Sequence, residues 1–308
     1  MNSAVVPVFL YDAFAKSVFG GNIAGVVLLD DESASDQSLQ AVARELAAPT
    51  TGFVWRGGPA DFRVRFFTPS QEIDMCGHVV VGVASALVDE GLIGPQHHSC
   101  SITFRTLAGP IPVSIAFHGQ RPEITMTQRP PLQETVGIES SEIAQTLGLS
   151  IGDLHPSFPI EVVSTALRHL IVPVRDVAVL SRLRPHYSAV ASLCRQARCD
   201  TAPIVAFTND ERETSWRLRD LCPAIGNDEE PASGTTNGAL GCYALAHSIV
   251  HSSNGKSVEL VGEQGVEQGR PSTIRVRLEL VENRVTKVFV SGAAYRSLRG
   301  ELTLKEAN

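Results

Sequence analysis

Apolar and polar residues alternate, or apolar residues run on without a break, over short stretches along most of the chain. Val5–Tyr11, Ala24–Leu29, Phe62–Phe67, Ile111–Phe117, Glu123–Thr127, Glu161–Ser164, Leu170–Val174, Pro203–Phe207, Thr214–Leu218 and Thr273–Leu280 all have the length and spacing of strands. The tail predicts a hairpin: Ile274, Val276, Leu278 and Leu280 alternate with polar neighbours, Glu282-Asn283 offers a turn, and Thr286–Val290 returns. Helical patterns are fewer. Asp36–Leu46 has a capping signal in Ser35 or Asp36 and places Leu39, Val42, Ala43 and Leu46 at helical spacing, and Ser141–Leu147 and Pro185–Ala197 read as further helices. Two segments differ from all of these, because His78–Val88 and Asn237–Val250 are apolar or small nearly all round. A helix without a polar face belongs inside something, and sheets wrapped around each would bury it.

The two apolar helices are approached in the same way. Arg65-Phe-Phe-Thr-Pro69 leads to Cys76-Gly77-His78, and Arg219-Asp-Leu-Cys-Pro223 leads to Ser233-Gly234-Thr235. Duplication of one half is the simplest explanation. Arg129-Pro130-Pro131 is the natural joint between the halves. The expected class is α+β, with a first domain over 1–122, a second over 123–292, and residues 293–308 returning to the first as a strand.

Composition narrows the function. At 308 residues, 43% hydrophobic and 19% charged, the chain can bury a sizeable core, which excludes bulk disorder. A net charge of −7 disfavours nucleic acid and anionic membrane as partners. Six cysteines without a C-x-x-C pair read as reduced thiols, and the absence of a basic, apolar leader points to a cytoplasmic protein. Familiar motifs fail on inspection. Gly255-Lys256-Ser257 lacks the upstream glycine of a phosphate loop, Gly20–Gly25 is not a dinucleotide fingerprint, and His97-His98 with Cys100 reads as a polar loop rather than a metal site.

The productive residues are at the two helix starts. Unpaired main-chain N–H groups and the positive end of the helix dipole gather there, so Gly77 and Gly234 can hold a carboxylate without a basic side chain. If both starts face one cleft, they also stabilise negative charge developing on a carboxylate or carbonyl while a proton is removed. A thiol at Cys76 in that field is a candidate base, or else a small packing residue. His78 is either a helix-start residue or an acid working near neutral pH. In Asn227-Asp228-Glu229-Glu230-Pro231, Asp228 and Glu229 read as a solvated loop, whereas Glu230, nearest the turn, is the one with chemical potential.

Several stretches taken in order carry a resemblance: Asp12-Ala-Phe with Phe19-Gly-Gly-Asn22 and Val26-Val-Leu28; Ala43-Arg-Glu45; Arg65-Phe-Phe-Thr-Pro69 with Cys76-Gly-His78; Glu230-Pro-Ala-Ser-Gly234 with Asn237-Gly238; and Glu263-Gln-Gly265 with Gly269-Arg-Pro-Ser272. On these residues the chain resembles the phenazine-biosynthesis PhzF-like family, relatives of diaminopimelate epimerase and proline racemase. The resemblance implies two similar domains, each a curled, mainly antiparallel sheet around a central helix, an active site between them, and a homodimer. It also implies isomerisation or epimerisation of a small carboxylated metabolite, of the kind made in secondary metabolism, without metal, flavin, pyridoxal phosphate or any other cofactor. By position, His78 matches the family's site histidine, Glu230 stands where an aspartate is usual and Thr235 where a serine is usual. Cys76 matches the thiol of the racemase relatives, with Ser233 in the place of their second cysteine. Gly77 and Gly234 match the turns that hold the carboxylate, and Asn22 and Thr236 fall among the substrate-binding positions. One departure stands out: Thr50, in Ala48-Pro-Thr-Thr-Gly-Phe53, occupies the position of the family's catalytic glutamate. A threonine hydroxyl is far too weak an acid to act as a general base near neutral pH. The expectation is therefore an isomerase, epimerase or related lyase in which Cys76 or Glu230 transfers a proton next to a carboxylate of an amino-acid-derived metabolite. The alternative is a pocket that binds a small molecule, or steers a rearrangement, without this chemistry.

Overall fold

The computed structural model describes residues 3–58, 61–94, 98–117, 121–208 and 214–305, so His97 lies outside the described residues. The chain forms two compact units, Met1–Met126 with Ser291–Asn308, and Thr127–Val290. The first contains β1 (Ser3–Ala13), β2 (Asn22–Leu29), α1 (Asp36–Leu46), β3 (Thr50–Gly58), β4 (Asp61–Phe67), β5 (Glu72–Ile73), α2 (Gly77–Asp89), β6 (Ser99–Thr106) and β7 (Gly109–Ala116), and β8 (Glu123–Gln128) begins there. The second contains β9 (Leu132–Thr135), α3 (Ser140–Thr146), β10 (Glu161–Ser164), β11 (Arg168–Pro173), α4 (Val177–Arg182), α5 (Tyr187–Ala197), β12 (Ala202–Phe207), β13 (Trp216–Leu221), β14 (Glu229–Glu230), α6 (Gly234–Ala246), β15 (Ser257–Gln264), β16 (Ser272–Val281) and most of β17 (Arg284–Gly292). The chain then returns to the first unit as β18 (Ala294–Lys305), antiparallel to β1 along its length.

Strand pairing repeats between the units. In the first, β1–β2 is antiparallel, β2–β3 parallel, β3–β4 antiparallel, β4–β5 antiparallel, β4–β6 parallel and β6–β7 antiparallel. In the second, β10–β11, β11–β12, β12–β13, β13–β14, β13–β15 and β15–β16 follow the same sequence of directions. Even the added edge recurs, since β9 pairs with β10 as β18 pairs with β1. The halves differ in what joins the parallel pair: α1 in the first, α4 and α5 in the second.

The all-apolar helices are cores of their units. In α2 every residue from His78 to Leu87 is buried, and in α6 every residue from Thr236 to Ala244. Small residues let the helices lie close to their strands. A Cβ on Gly82 would sit 2.6 Å from the Ala24 Cβ on β2, and one on Gly241 would sit 2.9 Å from Val276 Cγ1 on β16.

Several expectations are corrected in detail. Ala48–Phe53, absent from the expected strands because Pro49 and Gly52 read locally as turn residues, leads into β3, which begins at Thr50 and runs parallel to β2; Gly52 makes room there for Val79 and Val83 of α2. The second buried helix is shifted toward the N-terminus, to Gly234–Ala246. Ser233 caps it by accepting from the Thr236 amide, and past its end Ser248 takes a left-handed φ of 56°. Strands β6 and β15, whose alternation is diluted by serine, threonine and glutamate, escape the pattern, as does the short α4. The predicted turn at Glu282-Asn283 is present, with φ values of 50° and 61°.

Candidate active site

At the start of α2, Cys76 is the N-cap residue, in an extended conformation with φ −143° and ψ 113°, and its side chain makes no capping bond. The thiol turns instead to the imidazole two residues on, with Cys76 Sγ 3.3 Å from His78 Nδ1. The same Nδ1 lies 3.2 Å from Asn22 Nδ2, which comes from the first residue of β2 and is fully buried. Nδ1 of the ring, which is 8% exposed, has one lone pair in its neutral form, so the Asn22 amide and the Cys76 thiol compete to donate to it. When the thiol donates, the imidazole is placed to act on it as a base. Gly77 beside them is half-buried, and a Cβ added there would meet only Met126 Cε at 3.8 Å, so a ligand can approach the first turn's main-chain amides.

At the start of α6 the backbone is nearly the same, with Ser233 at φ −135° and ψ 114°, but its hydroxyl does cap, accepting from the Thr236 amide at 3.3 Å. Ser233 Oγ and Thr235 Oγ1 are 3.2 Å apart, the hydroxyl counterpart of the Cys76–His78 contact. Gln264 secures the approach to this turn. Its Oε1 accepts from Ser233 N and from Asn237 Nδ2, and its Nε2 donates to the Glu230 carbonyl at 2.7 Å. Asn237 in turn donates to Ser233 O and accepts from Trp216 Nε1. Sequence reasoning passed over Gln264 as a site residue, although the Glu263-Gln-Gly265 motif marked it. Glu230 itself accepts from Asn227 Nδ2 at 3.0 Å.

Each unit also carries a bidentate ion pair that the sequence left half-seen. Arg65 Nε and Nη2 donate to both oxygens of Glu72, and Arg219 Nε and Nη2 donate to both oxygens of Glu229. In register, Phe67 faces Glu72 and Leu221 faces Glu229. Reading Glu229 as solvated loop is therefore wrong. It is 7% exposed and is the counterpart of Glu72, and Arg219 ties it on to the Leu180 and Leu183 carbonyls at the end of α4. Asp228 is exposed, as a loop residue would be.

The remaining candidates are placed as follows. Thr50 is buried at the head of β3, opposite Ala24. Gly234 is buried, Thr235 half-buried, and Thr236 turns its hydroxyl inward to Asp220 Oδ2 at 2.6 Å.

The sequence profile described as phenazine biosynthesis-like protein, PhzC-PhzF, matches residues 11–300. The chain belongs to the phenazine biosynthesis-like family. Among curated relatives of this PhzF-like chain, an uncharacterized isomerase, YddE, from Escherichia coli is 31% identical over 93% of the chain and 95% of its own length. The trans-2,3-dihydro-3-hydroxyanthranilate isomerase of Pseudomonas aeruginosa is likewise 31% identical, over 91% of the chain and 93% of its own. The crystal structure of a PhzF-family phenazine biosynthesis protein from Bacillus anthracis superimposes with a TM-score of 0.87 at 30% identity, covering 97% of this chain and 99% of that one. The fold alone reaches further, to a hydroxyproline epimerase from Agrobacterium vitis at 13% identity and TM-score 0.64, covering 100% of this chain and 94% of that one. The expected epimerase-like α+β fold of this PhzF-like chain is the fold these proteins share. Among the described residues, no helix is long and apolar enough to cross a membrane.

Proposed function

We propose that this PhzF-like enzyme is a cofactor-independent isomerase or epimerase that moves a proton at a carbon next to the carboxylate of a small, amino-acid-derived metabolite. The observation that carries the reading is the Cys76 thiol 3.3 Å from an imidazole nitrogen at the start of a buried helix. In this reading the thiolate removes the proton and His78, steadied by Asn22, stores or returns it. The main-chain amides at each helix start, Gly77 in the first unit and Gly234 in the second, are the candidates to hold a carboxylate, with Ser233 and Thr235 as hydroxyl partners at the second start and Glu230 as the second candidate base. Thr50 cannot supply the family's glutamate, so isomerisation of the compound named for the Pseudomonas relative by that route is disfavoured here.

The test is proton exchange in D2O, followed by NMR over a panel of amino-acid-derived carboxylates that includes trans-2,3-dihydro-3-hydroxyanthranilate. The substrate is expected to gain solvent deuterium, and Cys76→Ala to slow exchange by roughly 10²–10⁴-fold. Conversion without exchange, indifferent to Cys76→Ala and Glu230→Gln, would overturn the assignment.

The buried Thr50 favours a second reading, a pocket that binds or steers a small molecule after loss of the ancestral base. Thr50→Glu separates the two: exchange gained only in that variant supports the second. The homodimer implied by the resemblance is checked by sedimentation velocity, a single species at the monomer mass counting against it.

A further inference from the structure

Under the start of α6 lies a buried polar cluster at positions that are apolar in the first unit. The repeated approach segments place Asp220 where the first unit has Phe66, and Thr236 where it has Val79; all four are 0–1% exposed. Asp220 faces Glu230 across the β13–β14 register as Phe66 faces Ile73 across β4–β5. Two buried apolar residues in one half are thus a carboxyl–hydroxyl contact in the other, and burying a carboxyl costs stability unless it is hydrogen-bonded.

Its partners form a chain. Thr236 Oγ1 donates to Asp220 Oδ2 at 2.6 Å and lies 2.9 Å from Ser233 Oγ, which is 3.2 Å from Thr235 Oγ1. On the other side, His169 Nδ1 lies 3.3 Å from Thr236 Oγ1 and 2.8 Å from the Thr201 hydroxyl. Asp220 Oδ1 and His169 Nε2 are buried without a hydrogen-bond partner among the described residues. Each hydroxyl has one proton, so the carboxyl decides which way the chain points. When Asp220 is ionised, Thr236 donates to it and Ser233 donates inward to Thr236. When Asp220 is protonated, its O–H can donate to Thr236, Thr236 donates to Ser233, and the Ser233 proton is released outward.

We infer that Asp220 is a positioning residue that acts through Thr236 to set the direction of the Ser233 hydroxyl, and thereby how strongly the α6 start holds a carboxylate. This rests on the proposed role of that helix start. Burial pushes Asp220 up to about 7; Glu230 and Glu229 on β14 push the same way, while the Thr236 and Thr201 hydroxyls pull it down. The other titratable groups facing it are Cys222 just past β13, Cys194 on α5 and His169 on β11. Burial holds His169 neutral, with a pKa down to about 3, and lifts the Cys222 thiol well above its ordinary range; the Cys194 thiol is raised first by its hydrogen bond with Cys199 and then by burial.

Two measurements test the inference on the full chain. In the free protein, ¹³C signals of the Asp220 carboxyl and Ser233 Cβ are followed from about pH 5.5 to 8.5. Ser233 is expected to titrate with the Asp220 midpoint, to lose that response in Asp220→Asn and Thr236→Val, and to keep it in Thr236→Ser. Thr236→Val must leave Asp220 itself titrating. Acetate, ionised throughout this range, is then titrated against the Ser233 and Gly234 amide signals. Its affinity is expected to fall roughly tenfold from about pH 6 to 8 in the wild type and to stay level in Asp220→Asn. A Ser233 signal that ignores Asp220, or follows it equally in Thr236→Val, overturns the inference. Acetate that moves neither amide at either pH overturns instead the carboxylate role of the α6 start, while the ligand-free titration still decides the hydroxyl coupling.

Discussion

At the scale of single residues, the second unit carries two buried titratable groups with opposite consequences for stability. The folded Asp220 is raised from an ordinary 3.8 to about 7, so the native state binds its proton more tightly than the unfolded chain does, and this group makes the fold less stable as pH rises through that window. The folded His169 is lowered from 6.5 to about 3, so the unfolded chain binds more protons there, and this group makes the fold more stable as pH rises toward 6.5. The two slopes oppose one another between about pH 4 and 6.5. Asp220→Asn is expected to unmask the histidine: its stability should climb with pH across this range more steeply than that of the wild type. Relative to wild type, the variant should gain up to about 4 kcal/mol between pH 4 and 7, the equivalent of the shift from 3.8 to about 7. Urea midpoints at a series of pH values check this, and parallel curves for the two proteins would count against the buried carboxyl. The chemical residues were readable in the sequence because their motifs are contiguous. Cys76, Gly77 and His78 are adjacent, as are Ser233, Gly234 and Thr235. Asp220, His169 and Thr201 were not readable as a group, because no spacing in the chain joins three elements that meet only on folding.

At the scale of elements, the two apolar helices depend on small residues facing their strands. Gly82→Val should cost about 1–3 kcal/mol, because its Cβ would already sit 2.6 Å from that of Ala24. Gly94→Ala, with nothing within 4 Å of the added atom, is the control and should change thermal stability little. The paired Arg–Glu clamps differ in burial. Arg219 and Glu229 side chains are 9% and 5% exposed, against 14% and 24% for Arg65 and Glu72. Glu229→Ala strands a buried guanidinium and should cost about 3–5 kcal/mol, clearly more than Glu72→Ala; equilibrium unfolding of the two variants measures the difference. Alternation identified the strands that are solvated on one face, and all-round apolarity identified the two central helices. β3 was lost because Pro49 and Gly52 signal a turn locally, whereas Gly52 answers to Val79 and Val83, some thirty residues further along the chain.

At the scale of the whole chain, the first unit closes only when the last strand arrives. β18 pairs with β1 from Ser3↔Lys305 to Ala13↔Ala294, so removing residues 291–308 leaves β1 with an unpaired edge. Residues 1–126 alone are expected to aggregate or unfold without cooperativity. Residues 127–290 alone are expected to keep a cooperative transition and dispersed amide signals. Circular dichroism melts and NMR spectra of the two fragments check both outcomes, and a well-folded 1–126 would overturn the first. By itself the sequence determined what depends on neighbours: the alternation of strands, two helices with no polar face, the doubled approach to their starts, and the contiguous motifs that carry the family resemblance. Tertiary structure alone decided which strands run parallel, which glutamate each clamping arginine finds, and that an aspartate lies buried beneath Ser233. The reason is physical. Local patterns are written in periods of two and 3.6 residues, whereas these pairings join segments distant in the chain, and only the burial of a shared core selects one of many possible partners.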